Sequence, residues 1–291
     1  MKKKYDIIFI TSCCKLDEIY NLLESIIKYN KSLSLFIVIV NMSNKKINID
    51  KDINFEIEIL EINKIFNSSI SRNIAIKFII NNNITSHFVC FPDDDTTYDF
   101  NFFNFLNKKI NQEEDTCKNF ATNVMCRHDV KIFYRNRIAT EDMILTKYNF
   151  DQIGAVNLII NYDTFVKVKY FNEKYGVGSY YGAGEDGDYF LRCLSFSDIY
   201  FINNLYTIHP AVSDLYKNLN SKLFFIRMIN YSRGVISVLC MHKMYLFAFY
   251  ISIRALGGSI INIFKNPNLS FIYFKIFFYR ILFLIKFSFN V

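Results

Sequence analysis

The stretch HFVCFPDDDTTYD, residues 87–99, joins a short apolar run to three consecutive aspartates, Asp93, Asp94 and Asp95. An apolar run of this length, bounded by Pro and Asp, predicts a buried strand. Adjacent carboxylates repel one another, so a positive group or a ligand must compensate for them. In open α/β sheets, ligands bind beyond the carboxyl ends of the strands, and this stretch therefore predicts a binding site there.

The flanking segments alternate between strand-like and helical patterns. Apolar or period-two runs predict strands, and apolar residues at helical spacing predict helices. The predicted strands are YDIIFIT (5–11), LSLFIVIVN (33–41), FEIEILEI (55–62) and HFVCF (87–91), and the predicted helices span 16–30, 71–80 and 99–110. Asp99 is the expected N-cap of the last helix. This alternation predicts an α/β fold with a mostly parallel sheet.

Length and cysteine content limit the class of protein. The chain has 291 residues, enough for one large domain or for a domain with an appendage. Its seven cysteines form no C-x-x-C pair, which is typical of a reducing, cytosolic compartment. The N-terminus MKKKYDIIFITSCC has an apolar core interrupted by Asp6 and lacks a small-residue cleavage site, so a first strand is favoured over a signal peptide.

The net charge of +7 is unevenly distributed. Residues 215–291 contain ten Lys or Arg and no Asp or Glu, whereas the other 24 basic and all 27 acidic residues precede them, giving −3 there. The basic region is also apolar and helical in pattern, which predicts an anionic membrane surface as its partner and no nucleic acid. Its longest charge-free runs, 244–253 and 255–264, favour helices lying in the membrane interface over spanning helices. The alternative is an all-α cap on the domain.

The aspartate cluster has three interpretations. A solvated turn that caps the next helix accounts for Asp99 but not for the other acids. A calcium loop of the EF-hand type requires Gly and Glu where the chain has Tyr98 and Asn104, and it is rejected. A Mg²⁺ or Mn²⁺ ion shared with a phosphate-bearing ligand remains, because such ions take few protein carboxylates.

A second group of acids follows a cluster of glycines within FNEKYGVGSYYGAGEDGDYFLRCL, residues 171–194. The glycines suggest a loop that approaches a ligand closely. Asp188 and Arg192 are spaced for an ordinary i,i+4 pair on a helix. Glu185 and Asp186 are left unexplained, and a carboxylate beside such a loop is suited to accept a proton from a hydroxyl nucleophile.

Two further sites in the sequence suggest a function only if a metal or diphosphate site lies nearby. Arg72 and Asn73 lie in the first turn of the predicted helix at 71–80, where an arginine could steady a diphosphate. His209 follows a short strand and precedes Pro210. A lone histidine is more often structural than a ligand, unless a metal site lies nearby.

Taken in order, NSSISRNIAI, FPDDD, FNEKYGVGSYYGAGEDGDYFLRCL and IHP resemble the motifs of inverting family 2 glycosyltransferases of bacterial surface-polysaccharide biosynthesis. The resemblance covers roughly residues 5–212. It implies a single GT-A-type domain with a mostly parallel, Rossmann-like sheet, followed by a helical C-terminal tail. The implied regions are 1–98 for nucleotide-sugar binding, 99–212 for acceptor binding, and 213–291 for membrane association.

The resemblance also implies roles for individual residues. The aspartates would form the DxD motif, with Asp95 and His209 as ligands of Mn²⁺ or Mg²⁺. Asp186 would be the general base, and Glu185 would bind the acceptor. The residues that would contact the donor are Arg72, Asn73, Asp93, Asp94, Asn41 and Ser43, although the loop at 41–44 lacks the acidic residue expected beside the nucleotide base.

The implied activity is metal-dependent transfer of a hexose-type sugar from a nucleotide-diphospho-sugar to a glycan or lipid-linked acceptor, with inversion. The implied location is cytoplasmic, peripheral on the inner face of the plasma membrane. Two alternatives are a metal-dependent nucleotidyltransferase or phosphohydrolase, and a non-catalytic membrane-binding module.

Overall fold

The computed structural model describes residues 3–49, 53–112, 116–127, 141–210 and 221–289. Within them lie eight strands: β1 Lys4–Cys13, β2 Leu35–Asn41, β3 Glu56–Glu61, β4 Thr85–Cys90, β5 Asn119–Cys126, β6 Met143–Ile144, β7 Leu158–Asn161 and β8 Ile199–His209. The α-helices of the same residues are α1 Leu16–Tyr29, α2 Ser68–Asn81, α3 Phe100–Asn111, α4 Tyr162–Val168, α5 Glu185–Leu194, α6 Ser221–Met241, α7 Tyr245–Asn262 and α8 Pro267–Ser288.

The strands form one mixed sheet in the order β3-β2-β1-β4-β7-β5-β8-β6. The β3-β2-β1-β4 half is parallel throughout, β5 and β8 are also parallel, and β7 runs antiparallel to both of its neighbours. The predicted α/β class and mostly parallel sheet are therefore confirmed. The N-terminal segment forms β1, an inner strand of the sheet, as predicted.

The core follows from the sequence pattern. The strand β2 is buried at every position, as expected for an inner strand covered on both faces. Helix α1 turns Ile19, Leu22 and Ile26 toward the sheet, at the i, i+3, i+7 spacing of one helix face. In the same core, the ring of Phe9 in β1 packs against Tyr98 in a tilted arrangement and against Phe103 edge to face.

Side-chain caps set two helix starts. Asp99 Oδ1 accepts a hydrogen bond from Phe102 N at 3.0 Å, which confirms it as the N-cap of α3. Helix α2 begins at Ser68 and not at 71, because Asn67 caps it by accepting from Ile70 N at 2.9 Å. Arg72 and Asn73 therefore lie beyond its first turn.

The chain divides into two compact units. The first comprises Met1–Phe171 with Tyr189–Leu215, and the second comprises Asn172–Asp188 with Tyr216–Val291. The glycine-rich segment thus belongs to the same unit as the C-terminal helices. The predicted boundary at 212/213 lies outside the described residues.

The second unit is built on α6, α7 and α8. Ile229, Ala255 and Ile276, one from each helix, form its small apolar core. Arg280 of α8 ties the three together, since it donates to Ser232 Oγ at 3.0 Å and to the Ile251 carbonyl oxygen at 2.9 Å. Each of the three helices is long enough and apolar enough to cross a membrane, judged by length and composition alone.

Candidate active site

The first carboxylate cluster lies where β4 and β8 end. Asp93, Asp94 and Asp95 follow β4, and His209 is the last residue of β8. Thr97 and Ile208 exchange backbone hydrogen bonds of 2.8 and 3.0 Å, which hold the aspartate turn beside the end of β8. The aspartates and His209 therefore lie together at the carboxyl edge of the sheet.

Asp93, Asp95 and His209 could hold a metal ion, because one ligand atom from each lies within 4.8 Å of the others. His209 Nε2 is 3.1 Å from Asp95 Oδ1 and 3.8 Å from Asp93 Oδ2. Its other ring nitrogen, Nδ1, lies 2.9 Å from the carbonyl oxygen of Pro210, to which it donates. That contact leaves Nε2 as the nitrogen facing the carboxylates, as in metal-bound histidines.

The environment of Asp95 fits a cation. Its Oδ1 is buried, and among the described residues no donor reaches it with hydrogen-bond geometry, although His209 is close. A buried carboxylate oxygen without a well-aligned donor is costly, and a bound cation would reduce that cost. Asp93 joins this group as a third potential ligand, in addition to the two that the sequence predicted.

The charges of the cluster are balanced by its neighbours. Burial alone would raise the pKa of Asp93, but the nearby His209 and the charge of Arg72 outweigh it and lower that pKa. Burial would likewise lower the pKa of His209, yet the two aspartates raise it to about 10. A metal that binds Nε2 must therefore displace a proton from the imidazole.

Arg72 and Asn73 lie side by side but have different contacts. Arg72 is buried, places Nη2 2.7 Å from Asp93 Oδ1 and stacks over the Phe171 ring at 5.1 Å. Asn73 is also buried, and its amide exchanges hydrogen bonds of 2.9 and 2.8 Å with the backbone of Phe171. Arg72 thus adjoins the acidic cluster, whereas the observed contacts of Asn73 fix the ring on which Arg72 stacks.

Asp94 is directed away from its two neighbours. Its Oδ2 accepts a hydrogen bond from Cys14 N, 3.1 Å away, at the end of β1. Burial and the charges of Asp95 and Asp93 raise the pKa of Asp94 to about 6, against the effect of that hydrogen bond. The three aspartates therefore occupy different environments despite being adjacent.

Arg127 is a site residue that sequence reasoning missed. Its guanidinium Nη2 donates to the carbonyl oxygen of Asp95, and its Nη1 lies 3.5 Å from Glu18 Oε2. Its backbone N–H donates to the carbonyl oxygen of His209 at 3.1 Å. It follows β5 directly, as the aspartates follow β4. A basic residue directly after the strand-like FATNVMC was the available signal.

The loop after β2 brings Asn41 and Ser43 together. Asn41 Oδ1 accepts from the Ser43 hydroxyl at 2.7 Å, and Asn41 Nδ2 donates to Glu61 Oε2 at 2.8 Å. Glu61 is exposed and ends the neighbouring strand β3. A carboxylate of the adjacent strand thus lies beside the loop at 41–44, which has no acidic residue of its own.

The second acidic group belongs to the unit of the C-terminal helices. The glycine-rich segment lies directly against α6: a Cβ on Gly234 would come within 2.1 Å of the Ala183 carbonyl oxygen. Gly184 has φ +101°, and a side chain there would meet the backbone of Gly234 at 3.1 Å. Both glycines are required for this backbone contact.

Side chains reinforce that contact. The Tyr175 hydroxyl lies 2.9 Å from Ser237 Oγ, and Arg233 Nη1 donates to the Tyr180 carbonyl oxygen at 2.7 Å. Asp188 is buried and lies 2.9 Å from Nε2 of His242, just past α6. Helix α6 therefore supports the segment that carries the second acidic group.

Within α5, Glu185 is buried and Asp186 is half-buried in the first turn. Acidic side chains there are favoured by the helix dipole. Arg192, predicted to pair with Asp188, donates to the Val168 carbonyl oxygen at 3.1 Å. The roles predicted for Glu185 and Asp186 stay predictions.

Comparison with known proteins supports the fold. No protein-family model and no curated protein matches the chain. Among solved structures, S. aureus TarS 1–349 matches 81% of this chain and 71% of its own, at 14% identity and a TM-score of 0.53. The complex of TarS 1–349 with UDP-GlcNAc matches 87% of this chain and 72% of its own, at 14% identity and a TM-score of 0.55.

A longer TarS structure is matched over 83% of this chain, at 16% identity and a TM-score of 0.52. The match spans only 42% of that TarS chain. At such identities the likeness concerns the fold. The chain therefore has the GT-A-type α/β fold that its motifs predicted, the fold of TarS.

Proposed function

We propose that this protein is a metal-dependent glycosyltransferase that moves a sugar from a nucleotide-diphospho-sugar to an acceptor hydroxyl with inversion. The observation that carries the proposal is the cluster of Asp93, Asp95 and His209 beside the buried Arg72, at the carboxyl edge of the sheet. In the same fold, TarS has been solved with UDP and with UDP-GlcNAc. Uridine-diphosphate sugars are therefore the first donors to test.

The metal would be held by Asp95, Asp93 and His209. An imidazole ligand beside carboxylates favours Mn²⁺, because Mg²⁺ takes oxygen ligands. When bound, the ion neutralises charge on the departing diphosphate. Arg72, which already neutralises Asp93, supplies a second positive charge beside the diphosphate.

The acceptor side is assigned to the second acidic group. Asp186 acts as the general base that removes the proton from the acceptor hydroxyl, and Glu185 binds the acceptor. Single displacement at the anomeric carbon inverts its configuration. This division needs one acidic group to remain ionised beside a cation, while the other exchanges a proton.

The acceptor is a glycan or a lipid-linked glycan of cell-surface polysaccharide synthesis. Support comes from the basic, apolar region 215–291, which contains no acidic residue. Such a region favours a peripheral position on the inner face of the plasma membrane, where anionic lipids and lipid-linked acceptors are found.

The test is a thermal-shift screen of nucleotide-sugars with and without Mn²⁺. A sugar nucleotide that stabilises the parent only when Mn²⁺ is present, and fails to stabilise Asp95→Asn, supports the donor assignment. No stabilisation by any nucleotide-sugar contradicts it. Hydrolysis of the donor at a rate that no acceptor increases would point instead to a phosphohydrolase.

A further inference from the structure

Helix α8 presents an apolar stripe along its whole length. Apart from Tyr279, its exposed large apolar residues recur every three or four positions, which places them on one helix face. These residues are Phe271, Phe274, Phe278, Leu282, Ile285 and, at the C-cap, Phe289. Only 11% of this helix's apolar span is buried. A stripe this long and apolar marks an interaction surface.

The basic residues of α8 are arranged around this stripe. At 100° per residue, Lys275 and Lys286 both fall on the same border of the stripe, whereas Arg280 falls on the opposite face. Arg280 is bonded there to Ser232 and Ile251. Lys275 Nζ lies 4.2 Å from the Phe271 ring centre, so its stem covers apolar surface while its ammonium group stays at the edge.

The positions of these lysines distinguish a helix that crosses the bilayer from one that lies flat at its surface. The two border lysines are eleven residues apart, about 16 Å along the axis. In a helix that crosses the bilayer, Lys275 would lie close to the centre of the hydrocarbon, at a cost of at least about 2.5 kcal/mol. In a helix lying flat, both lysines reach the lipid phosphates at one level while the stripe enters the acyl region.

We infer that α8 lies in the plane of an anionic bilayer, with its Phe271-to-Phe289 stripe toward the acyl chains and Lys275 and Lys286 at the phosphates. The charge of the region selects the partner, since residues 215–291 carry ten basic and no acidic residues. This inference rests on the membrane association in the proposed function. It is independent of the transferase chemistry.

The chain contains no tryptophan, so a single introduced indole reports on one position. Full-length Phe271→Trp, Phe278→Trp and Ile285→Trp would be mixed with vesicles of equal phosphatidylcholine and phosphatidylglycerol, and quenched by lipids brominated at different acyl depths. A flat helix gives three similar, shallow depths. The matched control is Phe100→Trp in α3, whose parent residue is 54% exposed, against 56% for Phe278; it should not be quenched.

Other depth patterns overturn the inference. A deep indole at 278 between shallower ones at 271 and 285 means that α8 crosses the bilayer. A blue-shifted emission without lipid quenching means that the stripe binds protein, such as a second copy of the chain. In either case a Mn²⁺-dependent thermal shift with a nucleotide-sugar would leave the proposed transferase function standing.

The border lysines test the choice of lipid. Lys275→Gln and Lys286→Gln should each weaken binding to the anionic vesicles about fivefold, the equivalent of roughly 1 kcal/mol per charge. Lys28→Gln is the control, because Lys28 also lies over an aromatic ring, 4.9 Å from the Tyr29 ring centre, but in the first unit. Equal binding to phosphatidylcholine vesicles alone would overturn the requirement for anionic lipid.

Discussion

The two acidic groups of this protein are held in place by different physical means. Asp93 and Asp95 are held by electrostatic contacts, because Arg72 of α2 and His209 of β8 lie beside them and compensate for their negative charge. The group at Glu185 and Asp186 depends on shape, since its loop contacts α6 through the backbones of Gly184 and Gly234. Removing a charge should therefore disturb the arrangement of the first group, whereas adding volume at one of these glycines should disturb the arrangement of the second.

The largest effect is expected for Asp186→Asn. This change keeps the side-chain volume but removes the base, so transfer should fall by roughly 10² to 10⁴-fold. Donor affinity should remain at the parental value, measured by Mn²⁺-dependent thermal shift or calorimetry. A parallel loss of donor affinity would contradict the separation of roles.

Asp95→Asn should lower donor affinity in Mn²⁺ by at least about 100-fold. Substitution of a residue that only orients a metal ligand already lowers metal affinity 10 to 100-fold, and Asp95 is itself a proposed ligand. The isosteric change leaves the fold intact. The control is Asp99→Asn, which keeps a capping side chain at the start of α3. Its donor affinity should match that of the parent in the same titration. Retained Mn²⁺-dependent binding in Asp95→Asn would remove Asp95 from the ligand set.

Gly234→Ala tests the shape-dependent group without altering any charge. Its Cβ would lie 2.1 Å from the Ala183 carbonyl oxygen, so loop and helix must separate, at a cost of about 3 kcal/mol of unfolding free energy. The rate of sugar transfer at saturating donor should fall by a larger factor than the affinity for the donor, each relative to the parent protein.

The matched control is Gly257→Ala in α7, where a Cβ meets nothing within 4 Å. Alanine is the better helix former, so this variant should gain about 0.5–1 kcal/mol in urea unfolding. Equal behaviour of the two variants would show that the close contact at Gly234 does not position the loop.

The smallest effect concerns Asp94, whose folded-state pKa of about 6 exceeds its ordinary value of 3.8. The folded protein therefore binds this proton more tightly, and stability falls as pH rises from about 4 through 6. Asp94→Asn should gain about 1–2 kcal/mol over the parent at pH 7.5 and nothing below pH 4, in urea unfolding with EDTA. A constant difference across pH would contradict this.

The sequence predicted the charge-dependent group better than the shape-dependent one. The aspartates were expected at the carboxyl end of a strand, where ligands bind in such sheets, and the resemblance to family 2 glycosyltransferases assigned Asp95 and His209 to one metal site. Arg127 and Glu61 also lie at strand ends, but apart from that position nothing local distinguishes them from ordinary surface residues. Their importance depends on which strands become neighbours in the sheet.

The contact of α6 with the glycine-rich segment could not be read from the sequence. The glycines indicated that another group lies close to the backbone of this segment. They did not indicate which group it is. The single Gly234 within an apolar helix, some fifty residues later, gave no sign of its partner Ala183. The sequence therefore suggested that the C-terminal region is an appendage. In the structure, helix α6 of that region supports the glycine-rich segment.

The pairing of β5 with β8 has a consequence for synthesis on the ribosome. Asn123 of β5 bonds Asn203 of β8 across 80 residues, which take roughly 4–16 s to translate. His209, at the end of β8, emerges later still. Throughout that interval the nascent chain carries Asp93 and Asp95 without their histidine, and β5 without its parallel neighbour. The N-terminal part of the sheet, β1 to β4, can form during that time, so the chain is expected to fold in two stages as it is made.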